Sequence, residues 1–328
     1  VGYWNFNSGL DNILYDHSGN QNHGTIHGAT WEEIIAGCTD PLANNYNSNA
    51  NENDSSCIYP SSGDYSLHFE GAEVNNGDYV TVGDVLDIKL NSFTVEAQFK
   101  SDNLDFGNIV RKGGHNGATP NNTGYGIRMG YNGRINAFVV DDNGQVFELE
   151  GVTNIESNQW HDVALVIDRE NSSLKLFLGG QEESSIDISS MGNVDVNAYF
   201  EIGDLMWIDD GNHGNFWNGN IDNVVVSSIA RYLDDYDSNN NINDENTLAF
   251  YDFNAGSGDV LYDRSGNQNH GMINGATWEE SCAEDSLIVQ FFEDGCQLGL
   301  NEMFLTDLGE VLYNSDTDIG GFQFDIAG

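Results

Sequence analysis

Positive charge is what this 328-residue sequence has least of: ten Lys and Arg stand against 53 Asp and Glu, a formal net charge of −43. Such a surface repels phosphate backbones and anionic bilayers, which argues against nucleic acid and against membrane insertion. It suits an environment of multivalent cations or high salt, where carboxylates are neutralised or screened. No apolar run reaches membrane-spanning length. No stretch before residue 228 carries a helical period, which excludes strands alternating with helices. A signal-peptide pattern is also lacking, and the sequence opens inside a strand pattern, so it reads as a mature or trimmed segment of a longer secreted protein. Cysteines number four. Three connectivities are open to them, and the short loops Cys38/Cys57 and Cys282/Cys296 close most cheaply, which predicts an oxidising, extracellular setting. Disorder, the usual consequence of such charge, is opposed by 11% aromatics and regular strand patterns.

What is present in abundance is turn chemistry, and one stretch of it occurs twice. Tyr15-Asp16-His17-Ser18-Gly19-Asn20-Gln21-Asn22-His23-Gly24, running on to Trp31-Glu32-Glu33, returns at Tyr262–Glu280 with three differences: His17/Arg264, Thr25/Met272 and His27/Asn274. Each copy follows a short strand pattern, Tyr3–Phe6 and Phe250–Phe253. Oxygen-bearing side chains fall at alternate positions, Asp16, Ser18, Asn20 and Asn22. A hard cation such as calcium takes six to eight oxygens, and alternate positions of a tight loop can supply them. A plain Asx/Gly turn has the same composition, and the spacing leaves both readings open.

Strands are predicted at Val1–Phe6, near Gly24–Trp31, and then in quick succession at Tyr65–Phe69, Tyr79–Val82, Phe93–Phe99, Ile109–Lys112, Tyr125–Met129, Ile135–Val140, Val146–Leu149, Trp160–Ile167, Leu174–Leu178, Tyr199–Ile202 and Ile221–Val226. Asn132-Gly133 and Asn143-Gly144 read as hairpin turns. Between the first repeat and this series, Gly37–Pro60 is a polar insertion closed by Cys38 and Cys57. It is read as a solvated excursion in preference to a cation loop. The expected organisation is an all-β antiparallel β-sandwich over 1–236, a linker at 237–247, a partial repeat at 248–281 and an incomplete β module at 282–328. Strand-like runs in the last lie at Leu287–Phe292, Met303–Leu305, Val311–Tyr313 and Phe322–Ile326.

Tyr3-Trp4-x-Phe6, Asp16-x-Ser18-Gly19-Asn20-x-Asn22-His23-Gly24, Tyr65-Ser66-Leu67-x-Phe69-x-Gly71, Ser92–Val95, Gln159–Ala164, Leu174–Gly180 and Phe216–Val224 together resemble the laminin-G-like, concanavalin-A-like jelly rolls. The resemblance implies two antiparallel sheets, a structural calcium at the rim, and loops that bind glycan or matrix protein. It makes Asp16 and Asp222 the metal-linked carboxylates, with Asn20, Asn22 and the second-copy counterparts Asp263, Asn267 and Asn269 as further oxygen donors. On this view the first copy is the entry hairpin of the sandwich, and the second has no sandwich of its own and points to assembly. The insertion resembles the GCTDP…C cysteine modules of secreted proteins of marine Bacteroidetes-like bacteria, with Ser55 where those carry Gly. The C-terminal segment resembles the start of a cohesin-like sandwich.

Enzyme chemistry has little support. Glycoside cleavage by such folds needs two carboxylates facing one cleft, and no Glu-x-Asp-x-x-Glu run is present. No Gly-x-Ser-x-Gly elbow, free catalytic cysteine or His-Glu-x-x-His spacing occurs. No catalytic residue is therefore assigned. The most site-like stretch is Asp204–Trp217, where Trp207, Asp209, Asp210, Asn212 and His213 combine an aromatic face with groups for sugar hydroxyls. The Gly113–Gly117 loop is a weaker second. The sequence predicts a non-catalytic, calcium-stabilised extracellular module recognising glycan or matrix protein. The competing reading is a structural subunit of a filament or surface assembly that self-associates through sheet edges.

Overall fold

A computed structural model describes residues 1–71, 77–114, 123–206, 213–214, 216–238, 243–280, 302–305 and 311–314, with backbone only at 205–206, 213–214, 302–305 and 311–314. The first repeat holds β1 (Ile13–Leu14) and β2 (Gly24–Thr25). The cysteine insertion holds β3 (Ala36–Gly37) and β4 (Glu52–Asn53). The long series follows: β5 (Tyr65–Phe69), β6 (Tyr79–Gly83), β7 (Phe93–Ser101), β8 (Gly107–Gly113), β9 (Gly124–Met129), β10 (Ile135–Val140), β11 (Val146–Glu150), β12 (Trp160–Asp168), β13 (Ser173–Leu178), β14 (Gln181–Asp187), β15 (Phe200–Ile202), β16 (Leu205–Met206), β17 (His213–Gly214) and β18 (Gly219–Ser227). The second repeat contributes β19 (Thr247–Tyr251), β20 (Val260–Leu261), β21 (Gly271–Asn274) and β22 (Thr277–Glu280). Cys282–Gly328 forms a separate unit, in which β23 (Glu302–Leu305) pairs antiparallel with β24 (Val311–Asn314).

Two eight-stranded antiparallel sheets make the sandwich. Sheet I runs β11-β10-β9-β8-β15-β6-β21-β20. Sheet II runs β14-β13-β12-β7-β18-β5-β22, with β19 also on β18. The all-β jelly-roll reading is borne out, and the physical cause is alternation: Ile135, Ala137 and Val139 enter the common core while Asn136 and Phe138 face away. The core is filled by Phe69, Phe93, Phe99, Tyr125, Phe200 and Trp217, each at most 1% exposed. Both Asn-Gly turns form, β9–β10 and β10–β11, with Gly133 and Gly144 at φ +71° and +77°. Those left-handed angles cost a glycine nothing.

The repeat is placed the other way round from the sequence reading. The second copy enters the sandwich: β19 adds to β18, β21 to β6 and β22 to β5. Tyr251, Phe253, Leu261 and Ile273 bury in the core. The first copy adds no strand to either large sheet, and Val1–Phe6 forms no strand because no neighbour pairs with it.

Contacts peculiar to the second copy account for the choice. Arg264, where the first copy has His17, pairs with Asp252 (Nε to Oδ2, 3.0 Å), where the first copy has Asn5. Its Nη2 donates to Pro60 O at 2.7 Å and its guanidinium lies over the Tyr59 ring. The insertion is closed by a Cys38–Cys57 disulfide and docks on the same loop. Asp40 Oδ2 meets His270 Nε2 at 2.6 Å and accepts from Tyr59 OH at 2.7 Å, and Tyr59 stacks on Tyr262. Asn53 Nδ2 donates to Gly266 O and Gln268 Nε2 to Thr39 Oγ1. The insertion is thus a docked element and not a free excursion. Cys282 and Cys296 lie outside the described residues.

Candidate functional site

The carboxylates singled out for metal are built into turns. Asp16 Oδ1 accepts from Tyr3 N (2.9 Å) and Ser18 N (2.8 Å), and Oδ2 accepts from Ser18 Oγ (2.9 Å) and Asn22 N (3.0 Å). The Tyr3 amide above all, then the Ser18 hydroxyl, holds its carboxyl well below the usual carboxylate range. Asp263 repeats the scheme with Phe250 N, Ser265 N and Asn269 N at 2.8–3.0 Å. Asn20 and Asn267 turn their amide nitrogens to main-chain carbonyls, of Val1 in one copy and of Thr247 and Leu248 in the other. This donor set fits an Asx-capped turn in which protein N–H and O–H groups occupy the carboxylate, and it does not fit a ring of oxygens around calcium.

Asp222 lies elsewhere, in β18, whose neighbours are β7, β5 and β19. It is 5% exposed and accepts from Asn223 N at 2.7 Å. Burial pushes its carboxyl up to about 8, with the charges of Asp64 and Asp252 adding to the rise. Every described hydrogen bond of Asp16 stays within residues 3–23, so the structure does not bring these two carboxylates together. Among the described residues no group of three or more His, Cys, Asp or Glu is arranged to hold a metal ion.

Of the residues assigned to ligand, Trp207, Asp209, Asp210 and Asn212 lie outside the described residues. His213 sits in β17, opposite Met206 of β16. The flanks of this loop are placed: Gly203 N donates to Ile109 O, Trp217 N to Gly203 O, and β16 runs beside β8. These flanks lie beside β8 of sheet I, whose cross-strand rows form a surface that sequence reading missed. Trp217 is core, at 0% exposure.

That surface follows from register. Thr81, Glu201, Arg111, Gly126, Phe138 and Glu148 are successive cross-strand partners on β6, β15, β8, β9, β10 and β11. Asn108, Arg128, Asn136 and Glu150 form a second row. Three of the chain's six arginines belong to this region: Arg111, Arg128 and Arg134 at the β9–β10 turn. Arg111 is buried at 3% exposure, with Nε donating to Gly113 O at 2.7 Å and its guanidinium 4.8 Å from the Phe138 ring. Gly126 permits that stacking, since a Cβ there would lie 3.0 Å from the ring. Burial first, and the neighbouring Arg128 second, lower the Arg111 guanidinium to about 9.

Towards the β9–β10 turn the surface opens. Tyr131, 88% exposed, stacks on Phe106 with centroids 4.5 Å apart, and Arg128 stands over the other ring. Arg128 pairs with Glu148, Arg134 with Glu150, and Asn132 Nδ2 donates to Glu150 Oε1 at 2.8 Å. Glu148 and Glu150 share a face of β11 beside this aromatic pair. Each is ion-paired to a guanidinium, Glu148 to Arg128 and Glu150 to Arg134. A separate cleft of about 400 Å³ lies where the insertion and second copy meet sheet I, lined by Leu42, Thr81, Tyr199, His270 and Met272 among others.

Comparison with known proteins bears on the fold. Residues 74–235 match the family model of the concanavalin A-like lectin/glucanases superfamily, Laminin_G_3, so this stretch is a laminin-G-like jelly roll. No curated protein matches the chain significantly. A candidate carbohydrate-binding protein of Bacteroides ovatus superposes with TM-score 0.51 at 21% identity, over 71% of this chain and 66% of that one. The chain thus spans just under two thirds of that structure's length. A heptameric SAP-like pentraxin of Limulus polyphemus (TM-score 0.40, 17% identity, 52% of this chain and 78% of that one) is also similar. So is the CBM40 of a Ruminococcus gnavus IT-sialidase (0.41, 14%, 51% and 94%). At these identities the likeness is one of fold.

Proposed function

We propose that this chain is a non-catalytic, extracellular module that binds carbohydrate or matrix protein through the outer face of sheet I. The observation that carries the reading is Tyr131. A flat, almost fully exposed aromatic, backed by Phe106 and rimmed by Arg128, Asn132, Arg134, Glu148 and Glu150, offers a stacking face beside donors and acceptors for hydroxyl or acidic groups. The predicted ligand loop with Trp207, Asp209, Asp210 and Asn212 belongs to the same reading, because its flanks rise beside β8. The jelly-roll fold and the carbohydrate-binding description of the B. ovatus protein support it. The disulfide supports an oxidising compartment, and no helix of the described residues is long and apolar enough to cross a membrane. A glycan array and a panel of immobilised matrix proteins test the proposal with the native chain and Tyr131→Ala. Binding that falls at least tenfold in the variant is expected, and equal binding by both removes this face from the reading.

Calcium remains part of the proposal only through Asp222, a buried carboxylate that feels the charges of Asp64 and Asp252 and that a cation would stabilise in its charged form. A melting temperature raised by millimolar calcium and lowered again by chelator is expected, since a ligand of the native state stabilises it by mass action. No shift withdraws the metal.

A second reading, a structural subunit of a surface assembly, is favoured by the first repeat, which adds no strand to either large sheet.

A further inference from the structure

The two repeats are one module seen in two situations. Counted over 1–33 and 248–280, 20 of 33 positions are identical. Their internal architecture is the same. His17 N donates to Tyr3 O and Arg264 N to Phe250 O, both at 2.7 Å. Trp31 Nε1 caps Asp11 O, and Trp278 Nε1 caps Gly258 O. The aromatic tips of Trp4 and Tyr251 reach the carbonyls of Asn22 and Asn269. Phe6 and Phe253 take φ +56° and +51°, and Gln21 and Gln268 take +57° and +61°. The first copy therefore holds the docked shape without being docked.

Its surroundings differ at the positions that matter. Tyr251 and Phe253 are 0% and 1% exposed, whereas Trp4 and Phe6 are 39% and 65%. Every described hydrogen bond of residues 1–31 closes within that stretch, and Glu32 and Glu33 accept from Asn51 Nδ2 of the insertion, so no described hydrogen bond joins the module to the strands of the two large sheets. An apolar face of this kind, with Trp4, Phe6, Leu14 and Ile26 at the counterparts of the buried Tyr251, Phe253, Leu261 and Ile273, and Gly2 and Ser8 at those of Ala249 and Ala255, marks an interaction surface. The twin defines the complement: open edges of the β18, β5 and β6 type over a two-sheet core. In this chain those edges are filled by 248–280.

We infer that residues 1–33 are the closing module of a second laminin-G-like sandwich, one lacking its own closing strands, and that they dock there as residues 248–280 dock on 65–236. Asn5 and His17, in place of the Asp252–Arg264 pair, adapt the module to an acceptor without a Pro60-like carbonyl to bind. The surface is distinct from the outer face of sheet I proposed for ligand, so the two readings stand or fall separately.

Two measurements on full-length chains test the inference. In the first, residues 248–280 are replaced by the sequence of residues 1–33. A folded monomer with one cooperative melt, within about 10 °C of the native chain, is expected, and loss of that fold when the transplanted copy also carries Trp4→Asp and Phe6→Asp. In the second, an acceptor chain with Tyr251→Asp, Phe253→Asp, Trp4→Asp and Phe6→Asp is refolded together with the native chain and sized by sedimentation. A one-to-one complex that disappears when the native partner carries Trp4→Asp and Phe6→Asp is expected. An unfolded first chimera, or a folded chimera without any complex in the second experiment, overturns the inference.

Discussion

Asp16 and Asp263, 247 residues apart, bind equivalent amides: Tyr3 and Phe250, Ser18 and Ser265, Asn22 and Asn269. The chemistry is shared and the consequence is not. Asp263 is 0% exposed and holds the loop from which β20 and β21 enter sheet I. Asp16 holds a loop that adds nothing to the large sheets.

Asp263→Ala strands three amides at the edge of the core, where each lost partner costs about 1–3 kcal/mol. The main melting transition should fall by several degrees. Asp16→Ala should leave that transition in place and change only the exchange rates of the Tyr3, Ser18 and Asn22 amides. Calorimetry and hydrogen exchange on the two variants measure this. Equal destabilisation by both would mean that the first module supports the sandwich.

Much of the fold is legible in the sequence because each strand of 65–150 carries period-two alternation and ends at a Gly or Asn turn. Tyr65–Phe69 and Ile135–Val140 stand where alternation puts them. Gln181–Asp187 escapes notice because it is a polar edge strand with only one aliphatic, Ile186, to show a period. The roles of the two repeats are not legible from 15–33 and 262–280, which are almost identical. The discriminating residues, Arg264 for His17 and Asp252 for Asn5, acquire meaning only once Pro60 and Tyr59 are known to lie beside them. The binding face is hidden for a similar reason: Arg111, Arg128, Glu148 and Glu150 become one surface through cross-strand register, which spacing along the chain does not encode. Tyr131, beside an Asn-Gly turn, reads as turn decoration until Phe106 is found beneath it.

The cysteine insertion should come free before the sandwich melts when its polar anchor is removed. His270 and Tyr59 converge on Asp40 Oδ2, a side chain 4% exposed. His270→Ala leaves Asp40 buried without one of its partners, and an unpaired buried carboxylate costs more than the lost hydrogen bond. Limited proteolysis under oxidising conditions should then cut within 39–56 at least tenfold faster, with cleavage between 65 and 227 unchanged. Uniform acceleration at both places would show instead that the insertion and the sandwich open together.

Acid–base behaviour offers an independent reading of the opposite face. Glu96 on β7 accepts a hydrogen bond from Tyr232 OH at 2.7 Å, beneath the segment that also carries Arg231 and Tyr236. Burial pushes its carboxyl up to about 7, against the opposing pull of the Tyr232 hydroxyl. In the unfolded chain a glutamate titrates near about 4.3. The folded state therefore binds the proton more tightly. Its contribution to stability is complete below about pH 4, declines as pH rises and the unfolded chain ionises, and is lost once pH passes about 7. The melting temperature of the native chain should fall by a few degrees between pH 5 and pH 8. Glu96→Gln, which keeps the shape and cannot ionise, should melt higher than the native chain at pH 8 and match it near pH 4. The general repulsion of a chain with net charge −43 also grows with pH, but it acts on both proteins alike and cancels in the comparison. Parallel melting curves for the two chains across this range would assign the pH dependence to that general charge and remove Glu96 from it.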